Sequence, residues 1–473
     1  MNKKLGRGIS VLLQLLLLSS LPAIAQETRR DVEYLKTEAR EERQVAESAK
    51  KAKEKAALEG MKKLTFQDIL KQPDDIAMNY AYARDQIARN DLLGASATLE
   101  RILLINPNLH QVRALQGVVL FRLGALEDSR IAFDSLKEVK LPDSLRVEVD
   151  NYLRAIKRQK RRTHFSARET LGWGIDSNRN AVASSKTQLY RDVAYPIAAQ
   201  NRARRDTHFL NITNLGASHD LGFQAGHEVF ADFSYYLQEQ TQVNSLDTQS
   251  FQYDLGGTYK SKWLNFTPMF YAYHVQLSDQ TFLRSQGGRF YFDNTYWSKK
   301  LRPFIITSIE RQDFNGVSES PDSYERTGPQ FDQTGGFSYI LTPTMRWTSS
   351  ITYQNKCAKE KFDAYHNLKL ENSHTWLLGK GQFLINTITA EFDRYKEADH
   401  DVVGRIRRDQ VLSYRVTYGA PLTFFLIGKI LPRPFQDITL SANYEYFREL
   451  ANITNYSYTD HKFQILWTKR FDF

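Results

Sequence analysis

Phe463 to Phe473 reads FQILWTKRFDF and closes the printed sequence on an aromatic residue. Its large apolar side chains stand at Phe463, Ile465, Trp467, Phe471 and Phe473. Because successive strand residues point to opposite faces, this pattern predicts a strand with one apolar face. Such a strand is what a membrane β-barrel needs to close, and these five residues form the predicted barrel-insertion signal. An edge strand of a soluble sheet is the alternative, although such strands rarely end on an aromatic residue.

The opposite end of the chain predicts export. Residues 1–25 combine a basic start, an apolar run from Ile9 to Leu18 and the small-residue site Ala23-Ile24-Ala25. This order is typical of a cleavable secretory signal peptide, with Gln26 as the first mature residue. A retained membrane anchor is the alternative, but the run is shorter than the roughly 20 residues that a spanning helix requires.

Composition limits how the exported chain could cross a membrane. The single cysteine, Cys357, excludes an internal disulfide, and a free thiol is expected. No stretch downstream has the continuous hydrophobicity of a spanning helix. If the chain crosses a membrane it must do so as a closed barrel, since lipid leaves no partner for unpaired backbone groups.

The formal net charge of +10 needs a separate interpretation. The densest basic run is Lys157 to Arg162, KRQKRR, which carries no interleaved aromatic residues for base stacking. We therefore expect no nucleic-acid partner. Contact with phospholipid phosphates, guidance of an acidic segment of another protein, or a solvated linker all fit this run.

The mature chain is predicted to divide near residue 163. Residues 26–64 are rich in Arg, Lys, Glu and Ala and are expected to form a charged helical or flexible lead. Residues 65–162 show helical periodicity with a repeat of 34 residues. Residues 34 positions apart match in kind, small with small and apolar with apolar. The match predicts that the helices pack through Ala83, Leu92, Ala95 and Leu99, then Gly117, Gly124, Leu126, Ser129 and Phe133.

This spacing resembles the tetratricopeptide repeat (TPR), in which paired helices pack through small residues. Pro107 stands where the family has its proline, whereas Pro142 comes one residue late, and the aromatic residue of the first helix is absent. A generic array of helical hairpins therefore remains the alternative. We expect a small α-helical TPR-like solenoid, with capping helices over Phe66–Leu70 and Leu145–Ile156.

Residues 163–473 read as strands of about ten residues or slightly more, rich in Tyr and Phe. About fourteen such segments predict a 14-stranded antiparallel transmembrane β-barrel. Long and short connections are expected to alternate. The predicted long ones are Asp176–Arg205, Glu239–Thr248, Ser278–Gly287, Gly316–Gln330 and Lys396–Arg405, and the short ones are Asp220–Gln224, Ser261–Lys262, Ser298–Arg302, Thr342–Thr344 and Gly379–Lys380.

A local motif lies where the first strand should enter the first long loop. The segment GWGIDSNRN contains Gly172, Gly174, Asp176, Ser177, Asn178 and Asn180. Together with a signal peptide, TPR-like helices and a fourteen-stranded barrel, it resembles the surface lipoprotein assembly modifiers, or Slam proteins. The resemblance covers the chain from about residue 65 onward.

The resemblance implies a translocator in the outer membrane of a Gram-negative bacterium, with the N-terminal domain in the periplasm. Its implied cargo is a surface lipoprotein or a secreted haem-binding protein. Outer-membrane lipids and the barrel assembly machinery are further expected partners, periplasmic chaperones are candidate partners, and a monomer is expected. Export of a polysaccharide is the alternative function, because exporters of that class also join TPR repeats to a barrel. A passive porin is a third alternative.

Catalysis is not expected. The ten histidines are scattered, and the sequence has neither a Gly-x-Ser-x-Gly elbow nor a His-Glu-x-x-His pair. His227 and Glu228 are adjacent and would point to opposite faces of a strand. The sequence therefore predicts no catalytic residues, no metal site and no cofactor.

Overall fold

A computed structural model describes residues 65–473, apart from residues 140, 199–201, 224, 298–299, 427–434 and 436. The predicted signal peptide (1–25) and charged lead (26–64) lie outside these described residues. The described chain forms two compact units, one of helices that ends at Arg162 and one of strands that begins at Thr163.

The first unit consists of consecutive helices that pair as antiparallel neighbours. Their bounds are α1 Phe66–Lys71, α2 Ile76–Ala88, α3 Leu92–Ile105, α4 His110–Arg122, α5 Leu126–Asp134 and α6 Asp143–Lys160. Helix α4 starts and ends 34 residues after α2, so the predicted repeat recurs in the helix bounds. Membership of the TPR family remains a prediction.

Small residues bring the paired helices together, as predicted. Ala83, Ala95 and Leu99 are fully buried in one apolar cluster between α2 and α3. In the second pair, a side chain on Gly117 would lie 2.8 Å from the ring of Phe133, and the Ser129 hydroxyl donates to the Gly117 carbonyl at 2.8 Å. Leu92 and Leu126 are partly buried against these clusters.

Gly124 has a different role from the predicted one. It lies in the turn after α4 with a φ of +78°, and nothing surrounds the position that a Cβ would take. Asn90, 34 residues earlier, also has a positive φ of 61°. This repeat position therefore serves a left-handed turn, which glycine and asparagine tolerate, and does not pack the helices.

The described part of the second unit contains sixteen strands. Their bounds are β1 Thr163–Asp176, β2 Thr187–Tyr190, β3 Val193–Pro196, β4 Asp206–Asp220, β5 Glu228–Gln240, β6 Thr248–Lys260, β7 Asn265–Leu277, β8 Gln280–Asp293, β9 Leu301–Phe314, β10 Gly328–Thr342, β11 Met345–Lys356, β12 Tyr365–Gly379, β13 Gln382–Tyr395, β14 Arg408–Pro421, β15 Ile438–Ala451 and β16 Tyr458–Asp472. A short helix, α7 Leu422–Phe425, follows β14. Fourteen strands form one closed antiparallel barrel, and β2 and β3 form a separate hairpin.

The predicted closing strand closes the barrel. Strand β16 pairs with β15 on one side and with β1 on the other, from Asp176 opposite Lys462 to Ser166 opposite Asp472. The insertion-signal residues Phe463, Trp467 and Phe471 lie on its outer face and are each more than a third exposed. After the strand, the Phe473 amide donates to the Phe165 carbonyl at 2.9 Å, which extends the seam by one bond.

The register separates an apolar outer face from a polar inner one. Trp173 on β1 pairs with Phe209 on β4 and Ile465 on β16, and these side chains share the outer face. Asp176 on β1 and His208 on β4 stand at alternate positions, point inward and are buried. This arrangement, apolar outside and polar inside, is that of a membrane-spanning barrel.

Connections differ in length at the two ends of the barrel. The end at which β1 finishes, here called the loop end, carries the connection between β1 and β4 with the β2–β3 hairpin, and the loops after β5, β9, β11, β13 and β15, of which those after β9 and β13 are long. At the opposite, turn end only the connection between β14 and β15 is of similar length, and those after β4 and β8 are as long as the loop after β5.

One predicted loop was wrong. The segment Ser278–Gly287 was expected to be a long connection, but β7 and β8 meet through the two-residue turn Ser278-Asp279. Both turn residues have positive φ angles, 46° and 64°, as in a tight hairpin turn. The polar residues that suggested a loop belong to a strand whose inner face is polar. Cys357, in the loop after β11, is a free thiol as expected.

Among the described helices, none combines the length and the apolar character that crossing a membrane would require.

Candidate functional site

The lumen of the barrel is the candidate functional site, and its loop end is filled by connections that fold inward. The first of them, residues 177–205 between β1 and β4, is here called loop 1. The GWGIDSNRN motif spans the end of β1 and the first residues of loop 1.

Asp460 on the inner face of β16 anchors the start of loop 1. Its Oδ1 accepts hydrogen bonds from the Ser177 hydroxyl and from the Asn178 amide, both at 2.9 Å. Asp460 is fully buried and Asn178 is nearly so. Hydrogen bonds to a buried carboxylate are stronger than neutral ones, so this contact holds the chain against the wall.

The two asparagines of the motif shape the rest of the loop. The Asn178 side chain accepts from the Val182 amide at 3.1 Å and donates to the Val182 carbonyl at 2.9 Å, which makes a turn. The Asn180 side chain donates to the Arg202 carbonyl and accepts from the Arg204 amide, at 3.0 and 2.9 Å. Asn180 therefore joins the outgoing and returning arms of loop 1.

Loop 1 enters the lumen through Ala181. This residue has a positive φ of 48° and is 3% exposed. It packs on the inward-facing side chains of Val411, Phe447 and Tyr458, from three neighbouring strands. An apolar loop residue on the inner wall shows that the start of loop 1 lies within the loop end of the barrel. Strand β3, farther along the same loop, is exposed.

Arg179 joins loop 1 to the connection between β5 and β6. Its Nη2 donates to the Leu246 carbonyl at 2.9 Å, in the connection between β5 and β6. Its side chain is 8% exposed, and its Nη1 lies 4.0 Å from Asp176 Oδ2. Loop 1 thus links β16 to the loop after β5.

That neighbouring part of the loop end is packed with apolar residues. Loop residues Val243, Leu246 and Val317 form one buried cluster with inward-facing Tyr271 and Tyr273. Below it, the buried carboxylate of Glu310 accepts from the Tyr271 and Tyr273 hydroxyls, at 3.0 and 3.3 Å. The loops after β5 and β9 therefore also cover the lumen.

The hairpin of β2 and β3 is hydrogen-bonded to the loops after β13 and β15. The Asn455 side chain, in the loop after β15, accepts from the Leu189 amide at 2.7 Å and donates to the Leu189 carbonyl at 2.9 Å. The Arg191 and Asp192 amides donate to the carbonyls of Asp401 and Val402, at 3.0 and 3.1 Å. The Asn455 side chain thus makes the same pair of hydrogen bonds with Leu189 that the backbone of a neighbouring strand would make.

Arg407 braces the loop after β13. Its guanidinium lies 3.5 Å from the ring centroid of Tyr456 and 4.6 Å from that of Tyr395. The same group reaches Asp409 at 2.7 Å and Glu449 at 2.9 Å. A cation held between two aromatic rings and two carboxylates is strongly stabilised. No local sequence pattern marks Arg407, Asn455 or Asp460, so these residues were not predicted.

Glycine at position 174 permits close packing between β1 and the His208 side chain of β4. A side chain there would come within 2.5 Å of His208 Nε2, which is buried on β4 beside it. Gly172 is similarly close to Leu466, where a Cβ would meet Cδ2 at 2.4 Å. The two motif glycines thus leave room for the inward side chains of His208 and Leu466 on the neighbouring strands.

The middle of the lumen is lined by charges of both signs. The Lys369 ammonium lies 3.7 and 3.6 Å from Glu371 and Glu391, and Arg415 reaches Glu445 at 3.1 Å. Within the described residues, no group of three or more His, Cys, Asp or Glu side chains is placed to hold a metal ion. The charged side chains named here form ion pairs with one another within the wall.

No protein-family model and no curated protein matches the chain. Solved structures similar to it include the outer membrane channel DcaP of Acinetobacter baumannii, with a TM-score of 0.36, 7% identity, and coverage of 65% of this chain and 97% of that one. Acinetobacter baumannii OccAB1 gives a TM-score of 0.35 at 8% identity, covering 66% and 96%. A bacterial polysaccharide outer membrane secretin gives 0.33 at 9%, covering 64% and 98%. Similarity at this level carries no argument about function.

The strand order, register and faces define the class by themselves. A closed antiparallel barrel of fourteen strands, apolar outside and polar inside, has the architecture of an outer-membrane β-barrel.

Proposed function

We propose that this protein is an outer-membrane translocator that moves a surface lipoprotein, or a related secreted haem-binding protein, from the periplasm to the cell surface. The helical unit lies in the periplasm, and the loop end of the barrel faces the exterior. The observation that carries the proposal is a polar lumen, into whose loop end the start of loop 1 folds, in the same chain as a helical repeat unit.

The inward fold of loop 1 supports a gated path over a passive one. Asp460 ties the start of loop 1 to the barrel wall, and Asn455 ties its hairpin to the loop after β15. Release of these hydrogen bonds, each worth about 1 kcal/mol, would widen the path when a cargo enters. The chain would thus conduct little until it is engaged.

The mixed charges of the lumen also bear on the cargo. Lys369 and Arg415 are each paired with glutamates in the wall. A polymer of one repeated charge would be better matched by an unpaired ladder of the opposite sign. An unfolded protein segment presents both signs, and a wall of paired charges offers hydrogen bonds without holding it tightly.

Co-expression tests the proposal. The chain would be expressed in a Gram-negative host together with epitope-tagged candidate lipoproteins, chosen from genes that neighbour its own. We expect externally added protease to digest the tagged lipoprotein only in cells that contain the chain. A periplasmic lipoprotein of unrelated sequence serves as the control and should stay protected.

The alternative function gives a different outcome. If every candidate lipoprotein stays protected while a sugar polymer reaches the medium, the protein exports polysaccharide and the proposal is wrong. Free passage of small solutes with neither cargo would indicate a passive porin.

A further inference from the structure

The helical unit contains a groove of about 710 Å³ between α5 and α6. Its floor is apolar, formed by Leu153 and the almost fully buried Ile156. Asp150, Leu153, Arg154 and Lys157 follow one another at helical spacing along α6. Residues three and four apart share one face of a helix, so these side chains form one continuous wall.

The groove is predominantly cationic. Arg130, Lys137, Arg154, Lys157 and Arg161 line it, against the carboxylates of Asp134 and Asp150. Five cations facing two carboxylates leave an excess of positive charge. A concave surface of one sign raises the local concentration of ligands of the other sign.

One carboxylate of the groove is already neutralised. Asp134 Oδ1 lies 2.7 Å from the Lys137 ammonium, and its Oδ2 lies 2.6 Å from Arg130 Nη1. The hydrogen bond from Lys137 is the main reason why the pKa of Asp134 is lowered, followed by the charges of Lys137 and Arg130. Arg130 is also bound to Glu127. This end of the groove is internally paired.

The other end offers its charges to a ligand. Arg154 donates to the Asn151 side chain at 2.8 Å, a neutral partner that leaves its charge uncompensated. Lys157 and Arg161 have no ion-pair partner among the described residues. Both are exposed. The excess charge therefore lies at the Arg161 end, next to the apolar floor.

We propose that this groove binds an extended acidic peptide segment of the exported protein, with carboxylates on Lys157 and Arg161 and an apolar side chain over Leu153. The inference rests on the proposed function, since it names the chemistry by which the helical unit recognises the cargo. A recess with an apolar floor between cationic walls matches a segment that alternates acidic and apolar residues. A flat membrane surface offers phosphates but no group to fill the recess.

Peptide binding to the full chain, purified in a zwitterionic detergent, tests the inference. The probe is a dye-labelled peptide that repeats Glu-Leu-Glu-Ser, followed by fluorescence anisotropy, with Gln in place of Glu in a matched peptide. We expect the acidic peptide to bind and the neutral one to bind at least about tenfold more weakly. The affinity should fall as salt is raised.

Paired charge reversals locate the site. Lys157→Glu combined with Arg161→Glu should weaken binding of the acidic peptide about tenfold or more, and Lys157→Gln combined with Arg161→Gln should weaken it less. Arg84→Glu combined with Arg101→Glu changes the net charge equally on α2 and α3 and should leave affinity unchanged. Equal losses in both pairs of reversals would show that only net charge matters and would overturn the inference.

Two further outcomes separate the possibilities. If a short-chain phosphatidylglycerol binds and is lost in the Lys157→Glu and Arg161→Glu variant while the peptide never binds, the groove recognises lipid and the inference fails. In the export assay, normal lipoprotein exposure by that variant would reject the groove while the proposed function stands. Site-specific peptide binding without lipoprotein exposure would reject the proposed function alone.

Discussion

Gly174 lacks a side chain because His208 occupies the space that one would fill. A Cβ at this position would lie 2.5 Å from His208 Nε2, and His208 is itself buried on the inner wall. Neither group can move outward, since the backbone of each belongs to the barrel ladder. The GWGIDSNRN motif is thus partly a packing requirement between β1 and β4.

Gly174→Ala is therefore expected to destabilise the barrel by about 1–3 kcal/mol, the usual cost of overpacking. The free energy of unfolding would be measured by urea titration of the barrel in lipid vesicles, followed by tryptophan fluorescence. Combination with His208→Ala should restore most of the loss. Gly335→Ala, where no atom lies within 4 Å of the new Cβ, is the control and should cost little. A Gly174→Ala barrel as stable as the unmodified one would contradict this account.

Asp460 illustrates how one side chain can control a loop. Its carboxylate holds both Ser177 and Asn178, and nothing else described replaces it as their acceptor. Asp460→Ala leaves the buried Asn178 amide without this partner, at a cost of about 1–3 kcal/mol to the closed state.

The measurable result is conductance. A loss of 1–3 kcal/mol raises the population of an open state about 5–150-fold, so single-channel recordings in planar bilayers should show openings of Asp460→Ala that are rare in the unmodified chain. Asp254→Ala is the matched control, because Asp254 is also an inward, buried carboxylate but bonds Gln252 on its own strand. Equal conductance of the two variants would show that loop 1 does not close the path.

At the scale of elements, most strands place apolar side chains on the outer face and polar ones on the inner face. Glu169 is a local exception. Glu169 on β1 shares the outer face with Leu171 and Leu215, by register and exposure. Its carboxylate accepts from the Asn211 amide group at 2.8 Å and from the Thr213 hydroxyl at 2.7 Å. Lys469 on β16 stands opposite Glu169 in the ladder. A charge in an apolar band is tolerated when partners satisfy it.

A double-mutant cycle tests this exception. Asn211→Leu removes one donor from the carboxylate and should destabilise the barrel by about 1–3 kcal/mol. The same change combined with Glu169→Gln should cost less, because the neutral amide needs less compensation. Urea unfolding in lipid vesicles measures both differences. If the cost of Asn211→Leu is the same with Glu or with Gln at position 169, the hydrogen bond contributes nothing to stability.

The alternation of strand faces also shows where sequence patterns mislead. Ser278–Gly287 looks polar and glycine-rich, as loops do, yet most of it belongs to β8. Ser285 and Gly287 face a polar lumen, so hydrophilic residues there do not break the strand. In a barrel whose inside is wet, a polar run can be either a loop or an inner face, and local composition does not distinguish them.

For the whole molecule, the division at Arg162 has a direct consequence. The helical unit ends at Arg162 and the barrel begins at Thr163, with Arg161 and Arg162 both exposed. Trypsin cleaves after exposed basic residues in accessible backbone, while barrel strands are protected by their ladder.

Limited trypsin digestion of the detergent-solubilised chain should therefore release a barrel fragment that begins close to Thr163. Intact-mass measurement identifies its start, and a shift in gel mobility on heating shows that it is still folded. Trypsin sites in the loops after β9 and β13 provide the internal comparison. Cleavage within these loops before the Arg162 region would contradict a barrel that is the more resistant unit.

The sequence by itself determined the class of fold, because both signals are local. Alternation of side chains within Phe463–Phe473 and the 34-residue offset between helices depend only on neighbouring positions and on the geometry of strands and helices. The repeat offset also located small residues that pack the helical hairpins, such as Ala83, Ala95 and Gly117, whereas the GWGIDSNRN motif was recognised by its resemblance to a known family.

Only the tertiary structure decided what closes the lumen. Asp460 meets Asn178, and Asn455 meets Leu189, across more than 260 residues of sequence. These contacts exist because ring closure places the last strands beside the first, and no local pattern encodes which polar residues then face each other. The inner anchors of loop 1 follow from that packing alone.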